Sequence, residues 1–185
     1  IIPSDIASTA HASDLVYNTT HDKLGCWATD FSRKFYEDNG FFLKKGGLEI
    51  CRKDDDARWE ELKRKVESGK SFGTNVRLIS ASEAKEKFPL LDEESIRGAM
   101  WDPDAGLVVP RSQDVVNFAV ESAKEKGALT TFTDTPAVGF EIENGRITGV
   151  KTDRGTIKTD KVVIASGIWG PLIGEMAGVP VPLMP

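Results

Sequence analysis

The stretch that most constrains this chain is Val162-Val163-Ile164-Ala165 followed by Ser166-Gly167-Ile168-Trp169-Gly170. An apolar, β-branched run without polar alternation predicts a strand covered on both faces. Gly167 and Gly170 then predict a tight turn that lets the backbone approach whatever lies above the strand end. Open α/β sheets bind nucleotides and flavins at that place. An ordinary strand-turn-helix joint, with glycine used only to reverse the chain, would carry the same pattern.

The residues leading into this stretch are β in character. Ala137 to Glu143 and Arg146 to Thr152 flank Asn144-Gly145, a two-residue loop typical of hairpins. Asp153-Arg154-Gly155 predicts the next turn, and Thr156 to Thr159 a third strand of a meander. Leu129 to Phe132 predicts a short strand before it. After the glycine turn, Gly170, Gly174 and Gly178 recur every four residues. Pro171, Glu175 and the shortness of the segment favour close soluble packing over membrane helix pairing.

Before the meander, the chain alternates loops, helices and short strands. Residues 1–20 hold many small and hydroxyl side chains without periodicity, which predicts a loop. Lys23 to Asp38 sets Leu24, Trp27, Ala28, Phe31 and Phe35 on one helical face, with Gly40 as the stop. Gly46 to Cys51 predicts a short strand. Asp54 to Ser68 predicts a charged helix with the stripe Trp59, Leu62 and Val66, its acidic start suiting the helix dipole. Gly69-Lys70-Ser71 imitates the end of a phosphate-binding loop, but Arg64 stands where that motif needs glycine and a helix precedes it. Ser80-Ala81-Ser82-Glu83 is a capping box opening a short helix that Pro89 ends. Ile96 to Trp101 predicts a strand, Asp102 to Gly106 a turn and Leu107 to Pro110 the way out of it. Ser112 to Lys126 predicts a helix facing Val115, Val116, Ala119, Val120 and Ala123 inward, closed by Gly127.

A formal net charge of -5 without a basic stripe argues against nucleic-acid binding. No apolar run approaches the ~20 residues needed to cross a bilayer. Cys26 and Cys51 with His11 and His21 show no metal-ligand spacing, and two cysteines in unlike contexts fit a reducing compartment, cytoplasm or mitochondrial matrix. Asn18-Thr19-Thr20 matches a glycosylation sequon by chance on this reading. The start at Ile1 and the stop at Pro185 in a proline-rich connection lead us to expect an interior piece of a longer protein.

Several segments, in order, carry a resemblance. They are Ser8-Thr9-Ala10-His11-Ala12, Gly46-Gly47-Leu48-Glu49, Phe88-Pro89-Leu90-Leu91-Asp92, Asp102-Pro103-Asp104-Ala105-Gly106-Leu107, the meander, Ala165 to Gly170, and Pro180 to Pro185. Together the chain resembles the FAD-dependent amine oxidoreductases of the glycine, sarcosine and dimethylglycine oxidase-dehydrogenase group. The dimethylglycine branch is the nearest likeness.

The resemblance implies a mixed α+β fold: part of a FAD/NAD(P)-binding Rossmann-like domain plus part of an antiparallel-sheet substrate domain. Residues 1–45 and 110–170 would belong to the FAD domain, 46–109 to the substrate domain, and 171–185 to a connection back to it. It implies that Ala7, Ser8, Thr9, Ala10, His11, Ala12 and Leu15 wrap the flavin, with His11 covalently attached. A neutral imidazole is a competent nucleophile for that bond. Where the group has glycine after the histidine, this chain has Ser13-Asp14, whose side chains would crowd the flavin. Val138 matches a position whose backbone meets the adenine, although a core strand valine would look the same. Ala165, Ser166, Gly167, Trp169 and Gly170 match the turn against the cofactor, with a packed core tryptophan as the alternative for Trp169. The glycine fingerprint for the pyrophosphate would precede Ile1, so the piece alone is expected to hold FAD poorly and to be inactive. The implied reaction removes hydride from the carbon beside an amine nitrogen, leaving an iminium for water or for folate held in a separate domain. A 2-hydroxyacid or glycerol-3-phosphate dehydrogenase, or a flavin-free binding module, are the alternatives. No residue presents itself as a catalytic base.

Overall fold

The computed structural model describes residues 8–183. They fall into two compact units, one running up to Leu129 and one starting at Thr130. Every strand pair among the described residues is antiparallel.

The first unit is built on a packed sheet. Strands β3 (Gly47–Arg52), β4 (Arg77–Ser80) and β5 (Ile96–Asp102) pair in the order β3-β5-β4. Successive side chains of a strand leave opposite faces, and both faces of this sheet are covered. On one side Cys51 and Met100 pack with Leu62, Val66 and Val76, bringing in helix α2 (Asp56–Ser71). On the other, Ile79, Ile96 and Ala99 pack with Ala84 of helix α3 (Ala81–Lys87). The stripe read from sequence, Trp59, Leu62 and Val66, is the face α2 buries. Lys65 shares that face and is buried too, its ammonium paired with Glu49 of β3. The helix runs through Gly69, Lys70 and Ser71, so the phosphate-loop imitation is helical backbone. Asp55 caps its start by accepting from the Arg58 amide at 2.9 Å, and the Ser80–Glu83 capping box is formed in both directions.

A smaller sheet, β1 (Leu15–Val16), β6 (Gly106–Val108) and β2 (Phe42–Lys44) in that order, lies beside the N-terminal segment. Helix α1 (Lys23–Asp38) precedes β2, and helix α4 (Ser112–Glu125) follows β6. The aromatic face of α1 is open: Leu24, Trp27 and Phe31 are all exposed, and only Cys26 of the helix is buried. On α4 no residue is fully buried. Asn18 and Thr19, read as loop, are sealed inside instead. The buried carboxylate of Asp102 accepts the Asn18 amide at 2.9 Å, and Thr19 bonds Thr74 at 3.1 Å. The sequon is therefore interior structure.

The second unit is a meander and a helix. Strands β7 (Ala137–Glu143), β8 (Arg146–Thr152) and β9 (Gly155–Lys158) follow one another, and helix α5 (Gly170–Met176) packs on β7. Asn144 and Gly145 both take positive φ, 52° and 74°, as a twisted two-residue hairpin loop requires. The four-residue glycine spacing also has its use. A Cβ at Gly174 would meet the Val179 carbonyl oxygen at 2.6 Å, so the segment after α5 folds directly against that glycine.

Two expected strands are corrected. Neither 129–132 nor 162–165 is a strand, and the run expected to be buried is exposed, Val163 at 89%. A parallel ladder needs neighbouring strands delivered by crossover connections, and among the described residues no strand pairs with either stretch. Hydrophobic sequence alone does not make a strand without a partner edge.

Candidate functional site

The expected site residues lie in both units, and each group is described within its own unit. Ala7 lies outside the described residues. Ser8, Thr9, Ala10 and His11 form a single 3-10 turn that leaves His11 exposed. Ala12 is exposed, and Leu15, in β1, pairs with Leu107 of β6 and keeps 43% of its surface open.

This turn does not float. Helix α4 packs against it, and Asp14 ties the two together. The Asp14 carboxylate accepts from the Ser112 amide at 2.9 Å, the Ser112 hydroxyl at 2.6 Å and Arg111 Nε at 3.0 Å. Arg111 also donates Nη2 to the Ala10 carbonyl at 3.0 Å. The bonds from the Ser112 hydroxyl and amide, with Arg111 adding charge, hold the Asp14 carboxyl below the usual carboxylate range. Beside this junction is a cleft of about 300 Å3 lined by Thr9, Ala12, Tyr36, Val108, Ser112, Val115 and Val116. The Asp14 side chain is thus turned onto Arg111 and Ser112 at the start of α4.

In the second unit two of the expected turn residues line an apolar cleft. Ala165 and Ser166 line it together with Ala137, Phe140, Val150, residues 162–164 and Ile173, around about 370 Å3. The Ser166 hydroxyl oxygen is buried and has no hydrogen-bond partner among the described residues. Gly167 has φ +55° with nothing within 4 Å of where a Cβ would stand, and Gly170 starts α5. Trp169 is 62% exposed in this chain. Val138 is 55% exposed in this chain. The β7–β8 register jumps between Ala137 and Gly139, leaving Val138 without a partner residue in β8. Sequence reasoning missed the Asp14–Arg111–Ser112 junction; its one visible signal was an acidic residue at the place of the implied glycine.

Within the second unit, the buried, unpartnered hydroxyl of Ser166 in an apolar cleft, next to the open turn of Gly167, is a polar group that a flavin nucleotide would satisfy. The described residues contain no group of His, Cys, Asp or Glu able to hold a metal ion, and no helix long and apolar enough to cross a membrane.

The chain belongs to the family of FAD-dependent oxidoreductases, whose family model matches residues 5–185. Within it, 161 residues are 30% identical to human mitochondrial sarcosine dehydrogenase, covering 83% of this chain and 17% of that enzyme. Over 155 residues it is 33% identical to the anaerobic glycerol-3-phosphate dehydrogenase subunit A1 of Haloferax volcanii, covering 76% of this chain and 25% of that one. The crystal structure of L-proline dehydrogenase from P.horikoshii superimposes with a TM-score of 0.82 at 36% identity, over 92% of this chain and 46% of that one. The chain thus spans under half the length of each of these relatives.

Proposed function

We propose that the protein containing this chain oxidises a secondary or tertiary amine, such as sarcosine or dimethylglycine, at the carbon next to nitrogen. The observation that carries this reading is the Ser8–His11 turn, exposed and pinned to α4, in a chain of the FAD-dependent oxidoreductase family and similar to sarcosine dehydrogenase. FAD, when bound, supplies the two-electron acceptor. The chain's own residues bind and orient. His11 presents an exposed imidazole, the side chain assigned to tether the flavin covalently. Ser8, Thr9, Ala10, Ala12 and Leu15 line its approach, with Ala7 assigned to the same segment. Val138, at the bulge of β7, is assigned to the adenine, and Ser166 offers an unpartnered hydroxyl beside the open turn of Gly167. In this reading 1–45 and 110–170 are flavin-domain parts, 46–109 is substrate domain, and 171–185 leads back to it. Folate would act, if at all, in a separate domain.

The test uses the intact protein. A flavin spectrum that bleaches anaerobically with sarcosine or dimethylglycine supports the reading, as does a flavin-bearing peptide containing His11 after acid precipitation and digestion. Bleaching by glycerol 3-phosphate alone would instead favour the reading that the similarity to the Haloferax subunit supports. A colourless protein would leave a binding module.

A further inference from the structure

We infer that Asp14, at the place of the implied glycine, is a positioning residue whose side-chain acceptors hold the His11 turn on the N-terminus of α4. The inference rests on the reading of His11 given above. Asp14 has φ +60°, a left-handed conformation that costs most side-chain-bearing residues and that Asp and Asn tolerate best. The chain meets the same backbone requirement as a glycine would, and then adds something a glycine lacks.

What it adds is an anchor across 98 residues of sequence. Both carboxylate oxygens are engaged, one by the amide and hydroxyl of Ser112 and the other by Arg111. The Asp14 carbonyl accepts in turn from the Val108 amide at 2.7 Å. Arg111 closes the loop by reaching the Ala10 carbonyl, one residue from His11. Ser112 opens α4, so an anion there is also favoured by the helix dipole. Charge-assisted bonds of this kind are about twice as strong as neutral ones. With three donors already on it and only 14% of its side chain exposed, this carboxylate is spoken for and is not the acid that greets a cationic amine.

The experiment compares Asp14→Gly and Asp14→Asn with the wild type in the intact protein, reading amide hydrogen exchange, thermal midpoint and the visible circular dichroism of bound flavin. Asp14→Gly keeps the backbone conformation and loses the anchor. Exchange at residues 10–15 and at Ser112 is expected to rise about ten-fold or more, with the thermal midpoint nearly unchanged and the flavin band altered. Asp14→Asn, which retains an acceptor and tolerates positive φ, is expected to recover most of the protection and of the band. Adding Arg111→Ala to Asp14→Gly should change exchange less than adding it to the wild type. Unchanged exchange in Asp14→Gly overturns the inference. So does a rise spread over the whole chain with a lowered midpoint and no recovery in Asp14→Asn, since that marks general stability alone. A wild type without flavin overturns the reading of His11 instead, and local exchange then decides the placement of the turn by itself.

Discussion

Strand β5 and the run 162–165 make an instructive pair. β5 reads Ile96-Arg97-Gly98-Ala99-Met100-Trp101-Asp102, interrupted by charge and glycine, whereas 162–165 is Val-Val-Ile-Ala without interruption. By hydrophobicity the second should be the better buried. The reverse holds: Ala99 and Met100 are fully buried, and Val163 is 89% exposed. β5 sits between β3 and β4 with a helix on each face, all supplied by the same 60 or so residues. Burial is therefore a property of the neighbours a segment finds, and hydrophobic sequence only makes the segment profit from them.

The largest test of this contrast is a pair of truncations read by urea unfolding. Leu62→Ala, at a fully buried position against β5, should cost about 2–5 kcal/mol. Val163→Ala should stay within about 0.5 kcal/mol. Equal costs would mean that 162–165 is covered after all. Next in size is Gly145→Ala in the hairpin loop, where φ is +74° and no neighbour stands within 4 Å of the added Cβ. Backbone strain alone should cost about 1–2 kcal/mol, felt by the β7–β9 meander and not by the sheet of the first unit. Melting of both units together in this variant would show that they share one cooperative transition. The smallest effect belongs to Ser80→Ala, about 1 kcal/mol for a lost helix cap. The Ser80 amide and hydroxyl, helped by Arg77, hold the Glu83 carboxyl below its ordinary range. A carboxylate depressed in this way stabilises the folded state above its unfolded pKa and ceases to as pH falls through the folded value. The gap between Ser80→Ala and wild type should therefore narrow below about pH 4; a gap that widens in acid would remove Glu83 from the cap.

What could be read directly from sequence was local. The hairpin at Asn144-Gly145, the capping box at Ser80 and the buried stripe of α2 each depend on residues a few positions apart, whose geometry backbone sterics dictate. The glycine turn was legible for the same reason, whereas residues 1–20 read only as a loop and the histidine segment stood out through the family resemblance alone. What stayed hidden spans the chain. Asn18 reaches Asp102, Asp14 reaches Arg111 and Ser112, and Lys65 pairs with Glu49, at separations from 16 to 98 residues. In sequence these residues look like a loop, a turn and a solvated helix face. Each is buried or engaged because a partner of opposite polarity arrives from elsewhere, and an unpaired polar group there would have been too costly to bury.

By itself, then, the sequence determined the elements whose hydrogen bonds close within a short span: four helices in their places, a capping box, a meander and a glycine turn. Only the tertiary structure decided which apolar runs are covered, that Trp169 and Val138 face outward, and that Asp14 ties the His11 turn to α4. The physical reason is the same in each case. A local turn carries its own partners with it, while a parallel strand, a buried charge and a binding wall exist only when another part of the chain comes to meet them.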